Sequence, residues 1–212
     1  AGGQSAPPAT TPAVGDTQVE RDPLESSHHR DELCVPYQEA AFEIPSTPDI
    51  HLLPLAKVCR YVARIVKTEG PVHADEIARR LTTLAGKGRT GRRIAETVTA
   101  AITRLTAEGD LVHDDEFYEC PDQPLAIRDR SNVASPHLRK PTSLPPREIR
   151  HAALAVVENH TGVSHDEVVT EVARLLGFQT TSAQLRQHID PLVSALVDDG
   201  TLSERNDRLY TA

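Results

Sequence analysis

With 212 residues, of which 38% are apolar and 25% charged, the chain can form one ordinary domain or two small ones. No apolar run reaches the roughly 18 residues of a membrane span, and the N-terminus lacks the basic-then-apolar pattern of a secretory signal. A soluble, cytoplasmic protein with no membrane partner is therefore expected, and its formal net charge of −8 argues against a nucleic-acid partner only if that charge is spread evenly.

It is not spread evenly. Fourteen of the sixteen prolines fall in residues 1–54 and 121–146, where they would interrupt any regular element. The chain thus divides into an acidic, Pro-rich linker over 1–54, a folded unit over 55–120, a Pro-rich connector over 121–146 and a second folded unit over 147–212. Formal charges of −7, +1, +2 and −4 belong to these four stretches in order. The head, rich in Pro, Ser, Thr and Glu, is expected to be disordered. Nineteen arginines against four lysines, no methionine and a first residue Ala1 suggest a piece of a longer protein from a GC-rich bacterium. Cys34, Cys59 and Cys120 lie far apart and are odd in number, which fits reduced structural thiols better than disulfides or zinc ligands.

The two folded units repeat one another at an offset of 91 residues. Val72, Asp75, Glu76, Leu84, Gly86, Thr90, Leu105, Gly109 and Leu111 recur as Val163, Asp166, Glu167, Leu175, Gly177, Thr181, Leu196, Gly200 and Leu202. In each unit a first helix presents Val58, Val62, Ile65 and Val66, or Ile149, Ala153, Val156 and Val157, at helical spacing. A second helix opens at "HADEIARRL" or "SHDEVVTEV", the latter with Ser164 and Glu167 as a capping box. Gly86 and Gly177 end it. Thr90 and Thr181 are expected to cap a third helix, with Gln184 completing a box in the second copy. Ile94, Val98, Ile102 and Leu105, or Leu185, Ile189, Val193 and Leu196, form its inner face. Gly109 and Gly200 stop it, and a hairpin with a polar turn follows. Pro191, inside the third helix of the second unit, predicts a kink or a restart capped by Asp190. The fold class expected is mainly α with small β-hairpins: tandem winged-helix, or helix-turn-helix-like, repeats behind a disordered N-terminal segment.

"AGKGRTGRRI", residues 85–94, contains Gly86-x-Gly88-x-x-Gly91, the register of a dinucleotide fingerprint. That fingerprint needs a strand before it and a helix behind it, whereas this stretch follows a helix, so no nucleotide cradle is expected. What remains is a basic turn entering the third helix, the element that helix-turn-helix proteins place in the major groove. With Ile94 inward, Arg92, Glu96, Thr99 and Thr103 point outward. Lys87, Arg89, Thr90, Arg92 and Arg93, continued by Arg128 and Arg130 of the connector, are the candidate nucleic-acid-binding residues. Arg92 and Glu96 also fit a solvated i,i+4 pair, and the acidic turn Asp114-Asp115-Glu116 would repel a phosphate backbone. The second unit has Ala183, Gln187, Asp190 and Ser194 at the matching outward positions, which suits a scaffold or protein-contact role. Aromatic residues make up 3% of the chain, too few for a stacking platform along a single strand. The histidines lack metal-ligand spacing and no nucleophile elbow accompanies Ser, His and Asp. No catalytic residue, metal, cofactor or small-molecule ligand is expected, and this chain by itself is not expected to be an enzyme.

The stretches "EGPVHADEIARRL", "GKGRTGRRI", "IRDRS", "LPPREIRHAALAVVENHTGVSHDEVVTEVARLLGFQTTSAQLR" and "LVDDGTL" resemble an uncharacterised domain near the C-terminal end of large bacterial superfamily I helicase-related proteins. The likeness runs from about Leu55 to the end. It implies a parent protein with helicase ATPase motifs and often a Vsr-like endonuclease domain, acting on DNA, with those upstream domains as partners of this one. It assigns no catalytic residue here, because the chain contains neither a Walker motif nor a nuclease motif. The resulting expectation is a non-catalytic accessory module whose first unit contacts DNA weakly and non-specifically, the alternative being a protein-interaction module docked on the motor or another subunit.

Overall fold

The computed structural model describes residues 33–45 and 47–212; the greater part of the stretch expected to be disordered lies outside the described residues. The fold is mainly α, with six α-helices and small sheets among the described residues. Helices α1 (Leu55–Glu69), α2 (Ala74–Leu84) and α3 (Arg92–Glu108) precede a hairpin of β3 (Val112–Asp114) and β4 (Phe117–Glu119). Helices α4 (Pro146–Glu158), α5 (His165–Leu175) and α6 (Ala183–Asp198) precede a hairpin of β6 (Leu202–Arg205) and β7 (Arg208–Thr211). Each helix of the later set begins 91 residues after its counterpart, at 146 against 55, 165 against 74 and 183 against 92.

Local chemistry accounts for these boundaries. Ser164 and Glu167 form the capping box of α5, and Gly86 and Gly177, at φ +68° and +97°, end α2 and α5 in a conformation that a side chain would resist. The inner faces are as expected, with Val58, Val62, Ile65, Val98, Ala101, Ile102 and Leu105 in one core and Ile149, Ala153, Val156, Leu185, Ile189, Val193 and Leu196 in the other. Three details differ. Gly91 takes the N-cap position of α3 instead of Thr90, and Ser182 caps α6 instead of Thr181, by accepting from the Leu185 N–H. Pro191 lies inside one unbroken helix, with no restart at Asp190. Val72–His73 adds a strand, β2, to the first hairpin in the order β2-β4-β3.

The two proline-rich stretches are not simple linkers. Residues 34–36 form β1, which pairs in parallel with β5 (Ile127–Asp129) of the connector. Leu33 and Cys34 pack on the second core, Tyr37 meets Val133 and Leu138, and Ala40, Ile44 and Ile50 enter the first core. One strap thus touches both halves, which corrects the reading of residues 33–45 and 47–54 as disordered linker. The connector's Pro136–Arg139 and Pro141–Ser143 are short 3-10 turns. Proline restricts φ and removes a donor, but an extended proline-rich segment can still bury apolar side chains if its remaining polar groups find partners. A chain truncated to residues 55–212 is therefore expected to unfold at markedly lower urea than one beginning at residue 33. Each buried Tyr or Ile lost contributes about 1.5–3 kcal/mol, and an unchanged midpoint would return the strap to the status of a connector.

The halves are also joined by charge. Arg128 donates to the carbonyls of Glu69, Gly70 and Pro71 in the first half and to Glu148 in the second. Arg147 pairs with Glu119 and Arg150 with Asp114 across the same junction.

Candidate nucleic-acid interface

The basic turn lies at the surface where expected, yet its charges are unequal. Arg89 and Arg93 are exposed, with no ion pair among the described residues. Lys87 Nζ is 2.7 Å from Asp49 Oδ1, and Arg92 Nε donates to Glu96 Oε1 at 2.8 Å. Exposed pairs of this kind open at little cost, so both remain available to a phosphate. Thr90 is half-buried and its hydroxyl donates to Thr82 Oγ1 at 3.1 Å; it is held by α2 and does not face outward. Glu96, Thr99 and Thr103 do occupy the exposed face of α3.

Arg128 and Arg130 do not belong to this surface. They are 7% and 1% exposed and converge on Glu148, whose Oε1 accepts from the Arg128 N–H and Arg130 Nη1 and whose Oε2 accepts from Nη2 of both arginines at 2.6 Å. Burial alone would raise the carboxyl of Glu148, but the guanidiniums of Arg130 and Arg128 outweigh it and hold the group down at about 2. Both guanidiniums also stand over the Tyr37 ring, at 4.9 and 5.1 Å from its centroid. The expected positive stripe from the turn to the connector is thus interrupted: these two arginines hold the halves together and cannot reach a ligand.

The connector instead closes a cleft over the turn. A cleft of about 530 Å³ lies between α2, the turn at 87–90 and residues 134–137. Arg79, Lys87, Arg89 and His137 line its sides. Burial, then Arg79 and then Lys140, hold His137 below the ordinary histidine range, so the imidazole is neutral at pH 7 and the positive charge of the cleft comes from Arg79, Lys87 and Arg89. The floor is acidic and largely saturated. Arg80 is gripped by Glu39 and Glu69, at 2.5 and 2.6 Å, with Glu76 further away at 3.4 Å, and the Ser135 N–H donates to Glu39. Burial raises the carboxyls of Glu69 and Glu76, despite the attraction of Arg80 at Glu69 and of the Ser135 side chain and then Arg80 at Glu76. Arg79, His137 and Lys140 carry no local signature in the sequence. Residue 137 meets 79 only through the fold, and a proline-flanked histidine looks like any other linker residue.

Two of the three acids in the first hairpin's turn have side-chain partners. Glu116 lies 3.1 Å from His73 and Asp114 3.2 Å from Arg150, so the repulsion expected from that turn is smaller than its composition suggests. On the far side of α3, Leu52 and Leu55 are exposed at 65% and 36%, and Leu55 lines a shallow groove with His51, Arg93 and Ala100. The outward face of α6 matches its composition: Asp190 is within 3.0 Å of His165, and Arg186 is bound to Asp166. Among the described residues, no group of three or more His, Cys, Asp or Glu could hold a metal ion, and no helix is long and apolar enough to cross a membrane.

A family model decides how far comparison can take this. It matches residues 49–96, and its description is "Protein of unknown function (DUF3320)". The match spans α1, α2, the basic turn and the first residues of α3, and so includes Arg79, Lys87, Arg89, Arg92 and Arg93 but not the connector's wall of the cleft. No curated protein and no solved structure matches the chain.

Proposed function

We propose that the chain is a non-catalytic accessory module that holds DNA through its first half, built as a tandem winged-helix pair and belonging to a larger helicase-related protein whose motor and nuclease domains are its partners. The observation that carries the reading is the gathering of Arg79, Lys87, Arg89 and His137 around one cleft beside the exposed Arg92 and Arg93. A phosphate backbone is the ligand that such a surface suits: contacts to phosphate position a strand without reading its sequence. The helix-helix-helix-hairpin order of each half supports the winged-helix description, in which α3 would face the duplex. The sequence resemblance supports the helicase association.

Arg79 is paired with Asp75 and Glu76, so Lys87, Arg89, Arg92 and Arg93 neutralise about four phosphates, and log affinity should fall against log salt with a slope near −3 to −4, with a dissociation constant of roughly 10⁻⁴ to 10⁻⁶ M at physiological salt. Reversing Arg92 and Arg93 to glutamate should weaken binding at least tenfold while leaving the fold intact, because both side chains are exposed. The matching changes Ala183→Glu and Gln184→Glu should do little. Equal losses from the two double variants, or no loss from the arginine pair, would refute the reading.

A second reading has its own support. Leu55, exposed beside Arg93, and the exposed Leu52 three residues before it offer apolar surface that a phosphate backbone would not use, and a protein surface on the motor domain would. Under that reading, Leu52→Asp weakens the association and the arginine reversals leave DNA affinity unchanged.

A further inference from the structure

We infer that the cleft between α2, the basic turn and residues 134–137 takes a single unpaired base of a DNA strand and favours a base that carries an amino group. This rests on the DNA-binding reading above and names what that surface selects.

Three observations on one site lead there. The cleft is closed below by the Arg80 cluster, so it admits a group that enters and stops, not a strand passing through. Its volume, about 530 Å³, is in the range of sites that enclose one small organic group, roughly 300–1,000 Å³. Its charges are layered, with Arg79 and Arg89 at the sides and carboxylates beneath. A nucleotide is layered in the same sense, with phosphates outside and hydrogen-bonding edge within.

Glu76 sets the preference. It is 2% exposed and lines the cleft, and its Oε2 has no donor in ordinary hydrogen-bond geometry among the described residues, although the Ser135 side chain also acts on this carboxyl, Arg79 Nη1 stands 3.8 Å from Oε2 and Arg80 Nη2 3.4 Å from Oε1. A buried carboxylate oxygen without a donor is costly, and a ligand that brings an N–H removes the cost. Cytosine offers its N4 amino group to a carboxylate, whereas thymine presents an O4 acceptor at the same place. No Phe, Tyr or Trp lines the cleft, so recognition depends on hydrogen bonds more than on aromatic stacking.

The second half shows what the first has left open. Its counterpart of Glu76, Glu167, is occupied with the capping box of Ser164, whereas α2 is capped by the His73 ring, which accepts from the Asp75 N–H and frees Glu76 from that duty. The turn after α5 is filled by the connector, with the Arg130 and Ser131 nitrogens 2.6 and 2.5 Å from where a Cβ on Gly177 would stand, while nothing lies within 4 Å of the same point on Gly86.

The test compares equal-length single strands of dC and dT on the full chain, by fluorescence anisotropy at low salt and mildly alkaline pH, where both strands carry the same phosphates. The full chain should bind dC about tenfold more tightly than dT, the discrimination that one good base contact gives. Glu76→Gln should cut that ratio to near one and leave dT affinity within about twofold. Ala134→Trp, a change at an exposed position lining the cleft, should do the same by occupying it, and serves if Glu76→Gln fails to fold. The reversal Arg92→Glu with Arg93→Glu should weaken both strands and preserve their ratio. Equal affinity of the full chain for dC and dT, with salt-dependent binding of both, would overturn the cleft while sparing the DNA reading; no binding of either would overturn both. A preference that survives in Ala134→Trp, or vanishes with the arginine reversal, would place the base elsewhere and also refute the inference.

Discussion

Glu148→Ala should cost the protein about 3–5 kcal/mol, the usual result of removing one partner from a buried ion pair. Glu148 is fully buried and, among the described residues, is the only carboxylate that the arginine pair shares. Without it two guanidiniums remain, facing the Tyr37 ring and the carbonyls of Glu69, Gly70, Pro71 and Arg128. Those groups compensate part of a positive charge, not two. Because small domains are stable by only about 5–15 kcal/mol, the variant should be close to unfolding at ambient temperature. Arg130→Ala should cost less, since Arg128 still answers Glu148. Equilibrium urea unfolding of both variants measures the difference, and a loss below about 1 kcal/mol for Glu148→Ala would mean that water reaches the junction.

The same site fixes a pH dependence. The carboxyl of Glu148 is held at about 2, below its ordinary 4.5, so its contribution is complete above pH 4.5 and is lost as pH falls toward 2. Glu69 and Glu76 act in the opposite sense: burial raises both, so each carries a cost at neutral pH that acid relieves. The stability gap between the natural chain and Glu148→Gln should accordingly stay constant from neutral pH down to about 5 and close below 4.5, whatever the acid behaviour of the whole. A gap that widens in that range would contradict the assignment.

Much of the helical framework could be read from residues close together in the chain. Ser164 and Glu167 are three apart, the inner faces recur every three or four residues, and Gly86 and Gly177 stop helices through their own backbone freedom. The third-helix caps were harder, because Thr90 and Thr181 each precede another small residue able to hold the cap, Gly91 or Ser182. The junction was not legible at all. Arg128 meets the carbonyl of residue 69, Tyr37 meets Glu69, and Arg130 meets Glu148, over separations at which no pattern survives. Arginine is mostly exposed in proteins, so two arginines in a proline-rich stretch read as surface. The strap failed to register for a related reason. Its buried residues Tyr37, Ala40 and Ile44 follow neither the helical nor the strand period, since an extended segment between two bodies is patterned by its neighbours. In the candidate interface, Arg89, Arg92 and Arg93 could be found because they are close together in the chain, whereas Arg79 of α2 meets His137 only because the connector is laid against that helix.

Gly177→Ala should be far more damaging than Gly86→Ala, although the two glycines occupy equivalent turns. Both have positive φ, at +97° and +68°, and each substitution should pay about 1–2 kcal/mol for a left-handed backbone. At Gly86 that is the whole effect, because nothing lies within 4 Å of the new methyl group. At Gly177 the methyl group would meet Asp129 Oδ1 and the backbone nitrogens of Arg130 and Ser131, the nitrogens at 2.6 and 2.5 Å. Backbone cannot swing away as the end of a long side chain can, so overpacking adds about 1–3 kcal/mol. The displaced residues matter as well: the Arg130 N–H donates to the Leu176 carbonyl, and the Ser131 N–H to Asp129 Oδ1. Moving them pulls Arg130 from Glu148 and loosens the junction between the halves. Gly177→Ala should therefore lower the unfolding midpoint several times more than Gly86→Ala, and it should speed amide exchange at residues 127–131, which Gly86→Ala should leave untouched. Equal destabilisation by the two substitutions would show that the connector does not lie on the turn after α5, and with it would fall the contrast between a turn that is filled and a turn that is open.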